Sequence, residues 1–459
     1  MGAKPTIVVV VLAVIGSAAA MYVLRTEGLS APRLDQPALL ITQQQLPIDA
    51  VTRITLRRAD DPTMVFARIE RSWTQTEPFP HPVDFFSIRQ MLVLAAGLEV
   101  AQRIGPDKLR GGFSESALGL LPPKAQLTFD WPGGSLTLSF GRRGAAGRSY
   151  LRIAGDQTVY VVKSDLHDRA VDMDPKEWRD RTIFTVLAID ADQIIIDDGG
   201  ERTVLVKDRK RWKMIEPVQT RLDELARGDL FSALGRARSG GFILDEPDDL
   251  HAFGLAEPTG SLTITSTRLV ERDGEIVRVG QEQRLLVGAR MGVGSEDRFG
   301  MIQGRPVVVR LPEPVLRALF RRPESLADPT GSSVLAPDVK SLVIRGPGGD
   351  FRLDRDLDRW SAPQYGVEVP RQLVQDLLEQ LTALRAAEIE FRPHPHEMEV
   401  ATVTLYGFDA TPLDTVRIAR EPDSGRWSLE NGDDVLRFYP KNLQIRITPS
   451  DFDLQATTP

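Results

Sequence analysis

Three stretches of the chain share one alternation of apolar and polar positions. In the first, VTRITLRR leads through a polar turn into MVFARIERSWTQTEP; in the second, DQIIIDD leads into TVLVKDRKRWKMIEP; in the third, VKSLVIRG leads into FRLDRDLDRWSAP. Apolar side chains on every other residue predict strands with one buried face, joined by tight hairpins. The last strand of each carries a tryptophan, Trp73, Trp212 or Trp360, and these recur about 140 residues apart. A proline follows each, at Pro78, Pro217 or Pro363, and ends the strand. Helical spacing takes over next, from Asp84 to Ile104, from Leu222 to Ile243 and from Arg371 to Phe391. In the third stretch Leu373, Leu377, Leu381 and Leu384 recur with Val374 and Leu378 beside them, and Leu222, Ala226, Leu230 and Leu234 do the same in the second. Each stripe predicts a helix with one apolar face laid on the sheet.

The pattern continues behind the helices. Ala117-Leu118-Gly119-Leu120 and Ala252-Phe253-Gly254-Leu255 each precede a proline and then a strand, AQLTFDW or SLTITST. Pro132-Gly133-Gly134 and Gly155-Asp156 are turn signals that bracket further strands in LTLSFGR, SYLRI and TVYVVKS. The predicted unit is three strands, a helix and further strands: an α+β module with an antiparallel sheet. The units are placed at residues 31–185, 186–330 and 331–459. The third is a degenerate copy that lacks the Gly-Leu-Pro element, and its last strands run from Ala401 to LQIRITP.

Residues 1–30 follow a different rule. From Thr6 to Leu24 no charge interrupts the apolar run, a length that matches a hydrocarbon core of about 30 Å at about 1.5 Å per residue. A cleaved signal peptide competes, with Lys4 as its basic start and Ala18-Ala19-Ala20 as its cleavage pattern. Met21, Tyr22, Val23 and Leu24 carry the run on to Arg25, which favours a retained single-pass transmembrane helix at the cell membrane with the bulk of the chain extracytoplasmic.

Composition narrows the partners. Among 459 residues, 57 Lys+Arg against 64 Asp+Glu leave a net charge of -7, too mild to predict a nucleic-acid surface. The chain has no cysteine, so thiolate catalysis, disulfides and cysteine metal sites are excluded.

The modules resemble the bacterial domain-of-unknown-function family DUF4340, whose members are similar in an amino-terminal membrane span, a Trp-before-Pro hairpin, a helix and a Gly-Leu-x-x-Pro element. The residues that carry the likeness are Trp73 with Pro78, Trp212 with Pro217, Gly119-Leu120 with Pro122, Gly254-Leu255 with Pro258, and Arg179-Asp180-Arg181. The resemblance implies a setting beside an ABC transporter of the gliding-motility type, as its auxiliary component. It implies no chemistry.

Candidate chemistry is sparse. Five histidines can be inspected in full. His394, His396 and Glu397 form the densest group and offer ligand types suited to a metal, but Pro393 and Pro395 alternate with the histidines as in an exposed loop between helix and strand. His81 stands between prolines, and His167 and His251 stand in polar connections. Neither a G-x-S-x-G elbow nor a phosphate loop is written in the sequence, and GARMGVG, from Gly288 to Gly294, precedes a strand rather than a helix, so it reads as a hairpin turn. Lys207, Arg209, Lys210, Arg211 and Lys213 center on a hairpin tip and read as a solvated turn. Recurrence of the tryptophans at one place in every unit favours a packing anchor over an aromatic ligand platform. No catalytic, cofactor-binding or metal residue is assigned. The expectation is a non-enzymatic, membrane-anchored accessory or scaffold protein that binds envelope or ABC-transporter membrane proteins; an extracytoplasmic hydrolase and a purely structural envelope protein are the alternatives.

Overall fold

The computed structural model describes residues 39–454 apart from residues 43, 60, 71, 111–113, 187, 273–274 and 395. Up to Asp180 they form one compact unit, and from Arg181 onward another.

The first unit holds one antiparallel sheet. Its elements are β1 (Arg53–Arg58), β2 (Met64–Ile69), β3 (Ser72–Glu77), β4 (His81–Pro82), helix α1 (Phe85–Ala96), β5 (Val100–Ile104), β6 (Ala125–Trp131), β7 (Gly134–Arg143), β8 (Arg148–Ile153) and β9 (Val159–Lys163). The strands lie in the order β4-β3-β2-β1-β6-β7-β8-β9-β5. Helix α1 therefore carries the chain from one edge of the sheet to the other.

The second unit repeats that order twice. One sheet comprises β10 (Ala191–Asp198), β11 (Glu201–Asp208), β12 (Arg211–Glu216), β13 (Thr220–Arg221), helix α2 (Glu224–Arg236), β14 (Gly241–Asp245), β15 (Gly260–Arg272), β16 (Glu275–Arg290), β17 (Arg298–Ile302) and β18 (Val307–Leu311). The other comprises β19 (Ser341–Arg345), β20 (Phe351–Asp356), β21 (Arg359–Ala362), β22 (Val367–Val369), helix α3 (Arg371–Thr382), β23 (Glu388–Phe391), β24 (Glu399–Tyr406), β25 (Pro412–Arg420), β26 (Trp427–Glu430) and β27 (Val435–Tyr439). All three sheets are nine-stranded, and the third repeats the strand order of the other two in full.

Alternation sets the register. Ile54 pairs with Phe129 and Leu56 with Leu127 across β1 and β6. The same face is built by Ile194 with Ile264 and Ile196 with Leu262, and by Leu342 with Leu405 and Ile344 with Val403. All twelve side chains are buried. A one-residue slip would turn each apolar set to solvent, so burial itself holds the pairing. The helices cover these faces with Ile88, Met91, Leu92 and Ala95, with Ala226, Leu230 and Leu234, and with Val374, Leu377, Leu378 and Leu381. Asp84 and Asp223 cap the first two helices by accepting from Ser87 N and Leu225 N.

The expected α+β class is corrected to a β-dominated one. Helices α1, α2 and α3 stop at Ala96, Arg236 and Thr382, well short of the ends read from periodicity, and the chain behind each becomes a short edge strand: β5, β14 or β23. Pairing with the last strand of the sheet overrides the helical spacing there. Among the described residues no helix is long and apolar enough to cross a membrane, so the transmembrane helix of the expected architecture has no counterpart in the described fold. The run from Thr6 to Leu24 on which it was read lies outside the described residues. LQIRITP forms no strand; Ile445 and Ile447 bury their side chains in the third core from irregular backbone.

Candidate functional site

A concavity of the second unit lies on the hairpin that joins β11 and β12. Alternation along β12 turns Trp212 and Met214 inward and Arg211 and Lys213 outward. Arg209 takes the left-handed conformation at φ 56° in the turn, and Asp208 faces Arg211 across it. The expected hairpin tip is thus present, but it walls a groove of about 980 Å³. Trp212, Leu222 and Leu335 give the groove an apolar base, while Arg209, Lys210, Arg211, Lys213 and Arg221 line it against Asp208, Glu224 and Asp328.

The charges are not evenly matched. Lys213 Nζ lies 3.1 Å from Asp208 Oδ2, and Arg221 Nε lies 3.2 Å from Asp328 Oδ2. Glu224 is engaged by Arg227 on its own helix. Arg209, Lys210 and Arg211 are exposed and carry no acidic partner among the described residues. A cationic rim over an aromatic and aliphatic base suits an acidic, partly apolar segment of another molecule.

The inner wall belongs to a buried polar junction between the second and third sheets. Arg437 is fully buried; its Nη2 lies 2.7 Å from Asp433 Oδ2, and its Nε donates to the Asp328 carbonyl at 2.7 Å. Thr220 donates to Asp433 Oδ2 at 2.6 Å, and Ser332 donates to Asp414 Oδ2 at 2.6 Å. Arg221 Nη2 donates to the Thr330 carbonyl, and Tyr439 OH donates to that of Pro329. Burial opposes ionisation of Asp433, yet Arg437 and the Thr220 hydroxyl outweigh it and hold this carboxyl below the ordinary range. Burial pushes the Tyr439 phenol up, so it stays a neutral donor.

The tryptophans are core anchors. Trp73, Trp212 and Trp360 are all buried, and Trp212 meets Phe231 of α2 edge-on with ring centroids 5.1 Å apart. Each Trp hairpin runs into its proline, and the bonds Glu77-Pro78 and Glu216-Pro217 are both cis. Gly119 and Gly254 both adopt positive φ, at 72° and 63°, where their loops press against the backbone of Arg142 and Ala289.

The histidine group is rearranged relative to the sequence reading. His394 is buried rather than exposed, with Nε2 3.3 Å from Glu399 Oε2, and His396 stands in solvent with Nδ1 3.9 Å from the same oxygen. Glu397 is exposed, and the carboxylate both histidines face is that of Glu399. Burial pulls His394 below its ordinary range against the pull of Glu399. His251 is exposed, and His81 is buried with Nδ1 2.8 Å from the Pro82 carbonyl. His167 is not in a polar connection but buried on a short helix, beside Asp168 and Asp172. The run from His167 to Asp172 does not announce this, because one and five residues apart is not an α-helical spacing.

No curated protein and no solved structure matches the chain. Two overlapping stretches, residues 73–224 and 212–411, match the domain of unknown function DUF4340, and they open on the equivalent tryptophans Trp73 and Trp212. Together these matches span well over half of the sequence, and the chain belongs to the DUF4340 family.

Proposed function

We propose that this protein is a non-enzymatic binding or scaffold subunit on the extracytoplasmic side of the bacterial cell membrane, an accessory component beside an ABC transporter. The observation that carries the binding role is the groove of the second unit, where Arg209, Lys210 and Arg211 stand unpaired over Trp212, Leu222 and Leu335. Such a surface holds a partner by contact rather than by chemistry: its charges lie on an open hairpin and do not converge on one reacting atom. Threefold repetition of one sheet supports the scaffold part of the reading, since each copy adds surface of the same kind. The transporter setting is what likeness to the family implies.

Purification of the tagged protein from its native membrane, with identification of what accompanies it, tests the reading. Recovery of an ATPase and a permease subunit is the expected result. Recovery of neither, with the chain intact, would remove the accessory role.

A further inference from the structure

A cluster in the first unit has no part in the groove. The stretch SDLHDRAVDMD forms a turn of helix at Asp165–His167 that widens into a π-turn at Asp168–Asp172, closed by Met173 N donating to the Asp168 carbonyl at 2.8 Å. An α-helix would set residues five apart about 140° from each other, whereas a π-turn brings them to the same side. His167 Nδ1 accordingly lies 3.7 Å from Asp168 Oδ1 and 3.6 Å from Asp172 Oδ2. The three donors fall within 4.8 Å of one another, and no other three His, Asp or Glu side chains converge so among the described residues.

The tautomer of His167 follows from its other nitrogen. Nε2 lies 2.9 Å from the Gly141 carbonyl, which can only accept, so Nε2 carries the proton. In the neutral ring Nδ1 keeps a lone pair aimed at two carboxylates, and it has no hydrogen-bond partner although the side chain is only 3% exposed. Three lone pairs turned on one another are unfavourable without a cation between them. Arg143, at the end of β7, now supplies positive charge from the side: its Nη2 lies 2.5 Å from Asp168 Oδ1 and 3.0 Å from Asp172 Oδ2. The Arg143 side chain is 54% exposed, whereas the imidazole is buried and held from behind by the Gly141 carbonyl. An imidazole locked by a backbone carbonyl behind it is how metal-binding histidines are held.

We propose that His167 Nδ1, Asp168 and Asp172 form a binding site for a first-row divalent cation of the zinc class, which displaces Arg143 from the two carboxylates. Zinc bonds of about 2.0–2.2 Å place tetrahedral donors about 3.4 Å apart, close to the 3.7 and 3.6 Å that separate Nδ1 from the two carboxylate oxygens. A nitrogen donor disfavours magnesium and calcium, which take oxygen.

The test uses the full chain, purified without a polyhistidine tag and stripped with chelator, then titrated with zinc by calorimetry and metal analysis. One equivalent bound by the wild type, weakened about tenfold or more in Asp172→Asn, is expected. Asp172 is half-exposed, and circular dichroism of that variant checks that it folds. Arg143→Gln should bind more tightly than wild type, because a competing cation is gone; a merely structural role for Arg143 predicts no gain. The pair His394→Ala, His396→Ala should bind as wild type does. Absence of zinc binding by the wild type, or binding that survives Asp172→Asn unchanged, would overturn the proposal.

Discussion

Arg385, which follows helix α3, grips Asp223, the residue that caps helix α2: Nη2 lies 2.5 Å from Oδ2 and Nη1 3.2 Å from Oδ1. One carboxylate thus closes the first turn of a helix and ties two sheets of the same unit. Burial opposes ionisation of Asp223, but Arg385 and the backbone N–H of Leu225 prevail and hold its carboxyl below the ordinary range. Asp223→Ala should destabilise by about 2 kcal/mol, since it removes a cap and a charged hydrogen bond. Arg385→Ala should cost only about 1 kcal/mol, because the guanidinium is half-exposed and the cap remains.

Acid should act on the same pair. A folded-state pKa below that of the unfolded chain stabilises above the ordinary aspartate value of about 3.9, and the contribution is lost as pH falls toward the folded value. Urea unfolding at pH 7 and pH 3 should therefore show a smaller acid loss in Asp223→Asn than in wild type. Equal losses would show that the pair is not what acid breaks.

Trp212→Ala should destabilise the second unit by about 3–5 kcal/mol, as expected for deletion of a buried indole that packs edge-on against Phe231. Trp212→Phe should recover most of it. An unchanged unfolding transition combined with lost partner binding would mean that the ring serves the groove rather than the core.

Two strand glycines, Gly141 and Gly288, sit where a Cβ would collide with the carbonyls of Leu118 and Phe253, which belong to the repeated Gly-Leu loops. Alanine at either position should cost about 2 kcal/mol or more through overpacking. Gly280, with open space around it, should accept alanine within about 0.5 kcal/mol. Chemical unfolding of the three variants checks the contrast.

Strand alternation and the buried tryptophans were readable in the sequence because period-two burial is local: Ile194 and Ile196 announce their face without reference to their partners. Helix ends were not. Ile389 and Phe391 continue the apolar run behind α3, and only pairing of β23 with β27, more than forty residues on, makes them a strand. Polar junctions were hidden for a related reason. Arg437 and Asp433 look like one helix-spaced pair, yet their third partner, Thr220, lies 217 residues away from Arg437. Flanking prolines give His394 the local pattern of a solvated loop, and its burial depends on where that loop lands.

The groove predicts a charge-controlled interaction. Arg209, Lys210 and Arg211 are exposed, so replacing all three by glutamate should change the unfolding free energy by no more than about 0.5 kcal/mol per substitution. Recovery of transporter subunits should nonetheless fall, because three unpaired cations become three anions beside Glu224. Wild-type recovery should also fall as salt rises, since the screening length shrinks from about 10 Å at 0.1 M to about 3 Å at 1 M. Reversal of Arg89, Lys108 and Lys124, three exposed cations of the first unit, controls for net charge and should change little. If the two reversals weaken recovery equally, net charge and not the groove attracts the partner. If neither does, the partner is held elsewhere on the protein, and the cations at the hairpin tip are only a solvated turn.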